Sequence, residues 1–371
     1  NTPAFRDKRE TKRRLQAMCE RVHVCSWDAF PFVAEAYGVN WPYQGVIFDE
    51  ASFLRDQGSN RTKAARRCVH NRGMTHVLEL TATANANGDE AVYSQVDLLQ
   101  RGLLGDTLTE FRETFCVPAS KNWQTGMVYR WKVAPGMRAE FERRCATVAI
   151  SVPDSLGIDV LSVEHWLDLE EGDQRDAYRA IERDMVWRDI ACGSEGVQHG
   201  KLRQAASGFI YSGQDDGAIW LSSAKQEHMQ EVVDSLGKQA LVAYEFTAEL
   251  HALKVTFGKH VRDLRERGAM DAFLAGKLKL LAMHPKSAGH GVDGLQRVTN
   301  HVIWTTVPED AEMWIQVNGR LKRPGQDEAT VMAHMLIARG TREEEIWREV
   351  LPGKASVSDR LQRATRPAVA E

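Results

Sequence analysis

The order of apolar and helical stretches early in the chain constrains its fold more than any other feature. Gly45–Phe48 and His76–Leu80 have the length and apolar content of buried strands, and Asn60–Val69 between them predicts a helix. A strand, a helix and a second strand in this order require a crossover, so the two strands lie parallel. Val22–Cys25 predicts another buried strand, and Lys12–Glu20 predicts a basic helix before it. The sequence therefore predicts an α/β fold with a parallel sheet.

The same alternation resumes in the second half of the chain. Strands are predicted at Ala218–Leu221, Ala240–Ala243, Leu280–Met283, His301–Trp304 and Val331–Leu336. Helices are predicted at Lys225–Leu236, Ala248–Phe257, Ala311–Val317 and Thr341–Val350. Between the halves come a predicted helix at Arg175–Ile190 and a stretch with many glycines. We therefore assign a first lobe to residues 1–160, a bridge to 161–217, a second lobe to 218–350 and a flexible tail to 351–371.

Composition excludes several classes of protein. A chain of 371 residues with 43% hydrophobic and 27% charged residues is large enough for two domains and has an ordinary globular balance. It contains no run of roughly eighteen apolar residues, so no membrane span is predicted. Its six cysteines form no C-x-x-C pair, which argues against a zinc site and suits a reducing cytoplasm. Because the net charge is −3, any nucleic-acid surface must be a local patch.

An acidic pair, Asp49 and Glu50, follows the apolar run that ends at Phe48. Carboxylates at the carboxyl end of a parallel strand lie in the crevice where α/β sheets bind ligands. One carboxylate there can stand beside Mg²⁺ and the other beside an attacking water. The same pair can instead begin a helix, where acids stabilise the positive end of the helix dipole. The local sequence leaves both interpretations open.

Two arginines, Arg320 and Arg323, stand three residues apart near the end of the chain. On a helix this spacing places them on one face, from which both can reach a phosphate. Lys322 beside them also allows the plainer interpretation of a solvated basic face.

Two turns after predicted strands carry further candidates. Thr81 and Thr83 form the first turn, and Gly289–Gly291 lies in the second. Lys286 and Ser287, just before the glycine loop, can contact a DNA phosphate. Either turn can equally be a plain exit from a strand, so the local sequence does not decide between these interpretations.

Taken together, six blocks of the sequence resemble the Swi/Snf-related branch of the superfamily-two helicases, and most closely its compact phage and prophage members. The blocks are Val22–Trp27, Asp49–Ser52, the group Ser59, Arg61, Thr62 and Lys63, then Leu80–Ala84, Ser287–Asp293 and Gln316–Gln326. They run from about residue 20 to about residue 350, nearly the whole chain. The last block is the most specific, because Gln316, Gly319 and Gln326 accompany the two arginines at the family's spacing.

The resemblance implies a fold, a chemistry and a partner. The fold is a pair of RecA-like lobes with parallel sheets, the core of P-loop NTPase helicases. ATP and Mg²⁺ bind in the cleft between the lobes, and hydrolysis moves the protein along double-stranded DNA without unwinding much duplex. The phage members imply a role in phage DNA metabolism, in the cytoplasm of a bacterial or phage-infected host cell.

The resemblance also assigns roles to single residues. Asp49 is expected to hold Mg²⁺ through water, and Glu50 to orient or deprotonate the attacking water. Arg320 and Arg323 are expected to stabilise charge on the γ-phosphate. The residues expected to couple the ATP site to DNA are Thr81 and Thr83.

Contacts to nucleotide and DNA are assigned in the same way. Nucleotide contacts are expected from Gly291, Asp293 and Gln316. The family usually has asparagine where Asp293 stands, and an acid would repel phosphates, so Asp293 is expected to face the ribose or an arginine. DNA contacts are expected from Ser26, Trp27, Lys286 and Ser287. Trp27 suits base stacking, although it can instead be a packing residue.

The chain departs from the family in two places. The family carries a phosphate loop, G-x-x-x-x-G-K-[ST], ahead of the first block, and none of the Gly-Lys pairs here is followed by Ser or Thr. The expectation is a fragment, beginning at Asn1, whose first lobe is truncated at its amino end. Such a fragment is expected to be inactive alone, because nothing in it can cradle the β- and γ-phosphates. The second departure is that Ala82 and Ala84 replace the family's usual glycine and proline.

Two other functions remain open. One is an RNA helicase of the D-E-A-D kind, although that group has aspartate in place of Ser52 and typically histidine in place of Gln316. The other is a degenerate DNA-binding module without catalysis. The intact acids and arginines argue against decay, and the missing phosphate loop argues for it.

Overall fold

The computed structural model describes residues 21–72, 74–85, 88–121, 126–152, 156–213, 217–287, 293–352, 361 and 365. The chain divides into two compact units, one covering residues 1–153 and 354–371 and the other residues 154–353. The predicted helix Lys12–Glu20 and the predicted contact Gly291 lie outside the described residues, as does most of the predicted tail. The segment assigned as a bridge, residues 161–217, lies within the second unit.

The first unit is built around two parallel strands. Its elements are α1 (Phe30–Tyr37), β1 (Gly45–Asp49), α2 (Asn60–Asn71), β2 (His76–Leu80), α3 (Glu90–Leu99), α4 (Leu108–Phe115), β3 (Cys116–Lys121), β4 (Val128–Val133) and α5 (Arg138–Cys145). β1 pairs with β2 in parallel register, with Phe48 opposite Glu79, and β3 pairs with β4 in antiparallel register. The predicted strand–helix–strand crossover near residues 45–80 is therefore confirmed.

The helix of this crossover, α2, forms for reasons that the sequence makes plain. The Ser59 hydroxyl accepts a hydrogen bond from the Thr62 N–H at 3.1 Å, which satisfies one of the free donors at the helix start. Ala64, Ala65 and Cys68 form its buried stripe at helical spacing. This stripe packs on Phe48 of β1, so α2 covers one face of the two strands.

The prediction of a strand at Val22–Cys25 in this unit is wrong. Residues 22–26 form no strand in the described part of the chain, and Val22 and Val24 are 79% and 94% exposed. A short apolar run has no periodicity that separates a strand from an irregular segment, so the pattern alone misled.

The second unit contains a larger sheet. Its elements are β5 (Asp159–Leu167), α6 (Asp173–Asp184), β6 (Val186–Trp187), β7 (Ile190–Ala191), α7 (Glu195–Ala206), β8 (Phe209–Tyr211), β9 (Ala218–Trp220), α8 (Ala224–Leu236), β10 (Ala240–Ala243), α9 (Thr247–Phe257), β11 (Val261–Asp263), α10 (Ala269–Leu274), β12 (Leu280–Met283), β13 (His301–Trp304), α11 (Ala311–Gly319), β14 (Thr330–Ala338) and α12 (Arg342–Glu345). A π-helical turn, Ile346–Val350, follows α12.

Six of these strands form one parallel sheet in the order β11-β12-β10-β13-β14-β5. Every residue of β10 and β12 is buried, as expected of central strands that carry helices on the sheet. Val242 at the centre lies opposite Ala282 on one side and Ile303 on the other. The α/β class with a parallel sheet is confirmed. No helix in the described ranges is long and apolar enough to cross a membrane.

Two details of the second unit differ from the prediction. The strand at Ala218 pairs antiparallel with β8 and lies outside the six-stranded sheet. The helix predicted to run from Arg175 to Ile190 ends at Asp184, because Met185 takes a left-handed conformation with φ of +58°. Its N–H still bonds to the Ile181 carbonyl, which closes the last turn. A short β6–β7 hairpin follows.

Candidate active site

The acidic pair lies at a sharp bend that follows β1. Asp49 ends the strand and is exposed. Glu50 has φ of +57° and ψ of +58°, the left-handed region that a non-glycine residue enters at a cost of about 1–2 kcal/mol. The 3₁₀ turn Ala51–Leu54 follows directly, with Ala51 and Leu54 fully buried. The buried turn fixes the bend and sends the Glu50 side chain in a direction that an extended strand would not give.

Hydroxyl groups of two described residues, Ser52 and Thr81, contact the Glu50 carboxylate. Ser52 Oγ donates to Glu50 Oε1 at 3.1 Å, and Thr81 Oγ1 lies 3.4 Å from the same oxygen in donor geometry. Thr81 Oγ1 also accepts the Thr83 N–H at 3.1 Å. The structure thus joins the acidic pair to the turn after β2, as the spacing of the two predicted motifs along parallel strands allows.

The structure adds one detail to Ser52, which the sequence named only as part of the acidic block, and one to Thr83, which it named as a coupling residue. Ser52 is 3% exposed, and its hydroxyl orients the candidate base. Its place in the Asp49–Ser52 block, two residues after the acid, is the sequence signal that points to it. Thr83 is 2% exposed, and its Oγ1 has no hydrogen-bond partner among the described residues. A buried hydroxyl without a partner is costly and marks a place where a ligand or water can bond.

The two candidate DNA contacts near the start of the described chain make internal bonds. Ser26 Oγ accepts the Ala29 N–H at 3.3 Å, in the turn that leads into α1. The Trp27 indole Nε1–H donates to the Asp49 carbonyl at 2.8 Å, and its ring stacks on Phe48 with the two ring centroids 5.5 Å apart. Trp27 is therefore partly buried and packs against the core of this unit, and its contact with DNA stays a prediction.

The arginine block lies in the second unit and differs from the expected geometry. α11 ends at Gly319, Arg320 is its C-cap, and Arg323 lies in the turn beyond. The expectation that both arginines share one helical face is therefore wrong. Pro324 disfavours the helical conformation at Arg323, and Gly325 has φ of +90°, so the turn beyond α11 does not return to helix.

Arg323 contacts the acid that the sequence singled out. Its Nη1 lies 3.2 Å from Asp293 Oδ1, and Gln296 Nε2 donates to the same oxygen at 3.3 Å. The hydrogen bond from Arg323 is the largest cause that holds the pKa of Asp293 below its usual range. Of the two partners expected for Asp293, ribose or an arginine, the structure contains the arginine.

The remaining candidates of this block are placed as follows. Gln316 lies on α11 and donates to Glu312 at 3.2 Å. Gln326 donates to the carbonyls of Thr299 and Leu321, which ties the turn to the body of the unit. Lys286 is exposed in a 3₁₀ turn after β12. The side chain of Ser287, like Gly291, lies outside the described residues.

The residues at the acidic bend are compatible with Mg²⁺. Within the described ranges, no group of three or more His, Cys, Asp or Glu side chains is arranged to hold a metal ion. Mg²⁺ needs no such group, because proteins commonly bind it through one or two carboxylates together with substrate phosphates and water. The exposed Asp49 carboxylate offers one hard oxygen ligand of this kind, so a magnesium ion that arrives with a nucleotide would fit.

Comparisons with known proteins give distant similarities. No model of a known protein family matches the chain. Protein p41 of Acyrthosiphon pisum secondary endosymbiont phage 1 is 26% identical over an aligned length of 376, and the alignment covers 93% of this chain and 77% of p41. The SWI2/SNF2 ATPase core domain of Sulfolobus solfataricus has a TM-score of 0.40 and 18% identity, covering 86% of this chain and 67% of that one. The C-terminal part of the Fun30 ATPase domain also has a TM-score of 0.40, with 14% identity, covering 56% of this chain and 97% of that one.

Proposed function

We propose that this protein hydrolyses ATP and couples hydrolysis to movement along double-stranded DNA. One observation carries the proposal: the Glu50 carboxylate accepts hydrogen bonds from Ser52 and Thr81 at the carboxyl end of a parallel strand. A carboxylate oriented in this way can position an attacking water and take its proton. The contact with Thr81 links this chemistry to the turn after β2, which is assigned to coupling.

In this proposal each acid has its own task. Asp49, exposed one residue before the bend, holds the magnesium ion that neutralises charge on the nucleotide phosphates. Glu50 acts on the water. The bend separates the two tasks, because the left-handed backbone at Glu50 turns its side chain away from the path of the strand.

The second unit supplies positive charge and nucleotide contacts. Arg320 and Arg323 stabilise the charge that develops on the γ-phosphate. Asp293, one of the residues assigned to nucleotide, holds Arg323 through the ion pair at 3.2 Å. The further residues assigned to nucleotide are Gly291 and Gln316, and those assigned to DNA are Ser26, Trp27, Lys286 and Ser287.

The test is phosphate release from MgATP by the full-length gene product, with Glu50→Gln as the decisive variant. The wild-type protein is expected to turn over on the order of 1 s⁻¹ with duplex DNA, an ordinary enzymatic rate. Glu50→Gln keeps the shape of the side chain and loses the base, so turnover should fall by roughly a hundredfold or more while ATP still binds. Glu113→Gln changes an exposed glutamate of the same unit and is the matched control.

The nucleic acid is tested by comparing duplex DNA, single-stranded DNA and structured RNA at one ionic strength. Stimulation by duplex DNA supports the proposal. Stronger stimulation by RNA would favour an RNA helicase. If none of the three nucleic acids changed the rate of ATP hydrolysis, the result would indicate an ATPase whose partner is a protein. A Glu50→Gln variant as active as Glu113→Gln would remove Glu50 from the chemistry.

A further inference from the structure

One indole nitrogen joins two segments that are far apart in the sequence. The Trp27 Nε1–H donates to the backbone carbonyl of Asp49 at 2.8 Å, across 22 residues of chain. Asp49 is the last residue of β1, and Glu50 directly after it takes the left-handed conformation. The bond therefore holds the chain at the point where the strand stops and the bend begins.

The Trp27 ring cannot move without disturbing this point. It stacks on Phe48 at an interplanar angle of 17° with the centroids 5.5 Å apart. Phe30 of α1 and Phe53 of the 3₁₀ turn contact the ring from other directions, with centroids at 6.2 and 5.7 Å. The ring thus contacts β1 before the bend and the turn after it, while its N–H bonds to the carbonyl between them.

The bend needs such support. A glutamate in the left-handed region is strained, and conformations of this kind persist only where the surroundings determine them. The backbone bond across the turn is that of the Phe53 N–H to the Glu50 carbonyl at 3.1 Å. Asp49 is exposed, so without the indole donor its carbonyl would bond to water instead. The peptide plane at the bend would then be free to rotate.

We propose that Trp27 is a positioning residue for Glu50: its indole N–H fixes the Asp49 carbonyl and so holds the bend that aims the Glu50 carboxylate. The role in turnover rests on the proposed function, whereas the role in holding the bend does not. Because Trp27 follows Ser26 in the turn that leads into α1, the same bond would transmit any displacement of that turn to the acidic pair.

The chain contains a matched control for this proposal. Trp41 packs in the same aromatic group, edge-on to Phe30 with the centroids 6.5 Å apart. Its indole nitrogen is buried and has no hydrogen-bond partner among the described residues. Trp27→Phe and Trp41→Phe therefore make the same chemical change in the same core, and only the first removes a hydrogen bond.

The first readout is hydrogen exchange of backbone amides in the full-length protein. Trp27→Phe is expected to raise the exchange rates of the Phe53 and Arg55 amides at least roughly tenfold, while the amides of α2 keep their rates. Trp41→Phe is expected to leave the Phe53 and Arg55 amides unchanged. Equal effects of the two variants, or an increase in α2 as large as in the turn, would overturn the proposal.

The second readout is the split between kcat and KM. Trp27→Phe is expected to lower kcat for ATP by roughly tenfold, with a smaller change in KM, because a misplaced base slows the chemical step. If Trp27→Phe fails to fold, site-specific benzothienylalanine at position 27 keeps the ring shape and lacks the N–H. A normal kcat with that residue would overturn the role in turnover. If the wild-type protein had no ATPase activity, the proposed function would be wrong. The hydrogen-exchange result would still test whether Trp27 holds the bend.

Discussion

At the scale of single residues, Glu50 depends on a hydroxyl that comes from its own turn. Ser52 Oγ is the nearer of its two hydroxyl donors, at 3.1 Å against 3.4 Å for Thr81. A hydrogen bond to a charged group contributes about 1.5–3 kcal/mol. Ser52→Ala is therefore expected to lower kcat by roughly tenfold or more, because the carboxylate is then held by the longer bond. The measurement is steady-state ATP hydrolysis.

The control for this change is Ser94→Ala. Ser94 is also a buried serine of the first unit, and its hydroxyl donates to the carbonyl of Arg55, the C-cap of the same turn, at 3.5 Å and not to the carboxylate. Both variants lose one buried hydroxyl, so a difference in kcat between them reports on Glu50. If Ser52→Ala turned over as fast as Ser94→Ala, the hydroxyl would have no part in orienting the base.

At the scale of elements, four histidines form a row across the second unit. His228 of α8 contacts His165 of β5 at 3.1 Å, His165 contacts His334 of β14 at 3.2 Å, and His334 contacts His301 of β13 at 3.1 Å, each between ring nitrogens. A neutral imidazole has one donor and one acceptor, so a row of neutral rings can bond in one direction throughout. An added proton would break this order.

The row predicts loss of stability in acid. Burial is the main cause that lowers the pKa of His165, His301 and His334, the last to about 4. The unfolded chain then binds more protons than the folded one between about pH 6.5 and about pH 4, so stability falls as the pH falls through that window. The charged groups that face the row are Glu231 at His228, and Lys238 and Glu328 near His301.

The variant that tests this is His334→Asn, read out as the melting temperature from pH 7 to pH 4. It removes the central buried imidazole, so its melting temperature should fall less than that of the wild type over this range. His251→Gln, an exposed histidine of α9, is the control and should follow the wild-type curve. Parallel curves for all three proteins would show that the row does not titrate in this window.

At the scale of the whole molecule, the proposed DNA binding must come from local charge. The net charge is −3, so the chain as a whole gains nothing from attraction to DNA. Contacts between lysine, arginine and phosphate release counterions, and affinity then falls steeply as salt rises. We expect duplex binding to weaken roughly tenfold or more between about 50 and about 200 mM salt, with little dependence on base sequence. Fluorescence anisotropy of labelled duplexes of two unrelated sequences measures both, and a flat salt curve would contradict phosphate binding.

The sequence predicted the buried central strands better than the strand at the sheet edge or the contacts between distant side chains. β10 and β12 are continuous apolar runs, because central parallel strands are covered on both faces, and such runs are visible in a sequence. β5 lies at the sheet edge and carries Asp159 and Glu164, so its pattern is weak and it was missed. The non-helical conformation of Arg323 could have been predicted from Pro324, which follows it. The hydrogen bond from Thr81 to Glu50 could not be predicted from the sequence pattern, because it joins residues 31 positions apart.

The left-handed bend at Glu50 sets the folding free energy and the proposed chemistry against each other at one position. Glycine enters this conformation at almost no steric cost, and asparagine enters it more easily than glutamate. A library selected only for resistance to heat would therefore drift toward those residues at position 50. A library selected for ATP turnover would retain the acid and accept a less stable fold. Directed evolution of this protein would thus give two kinds of variant at position 50: stable proteins without ATP turnover, and active proteins with a strained backbone.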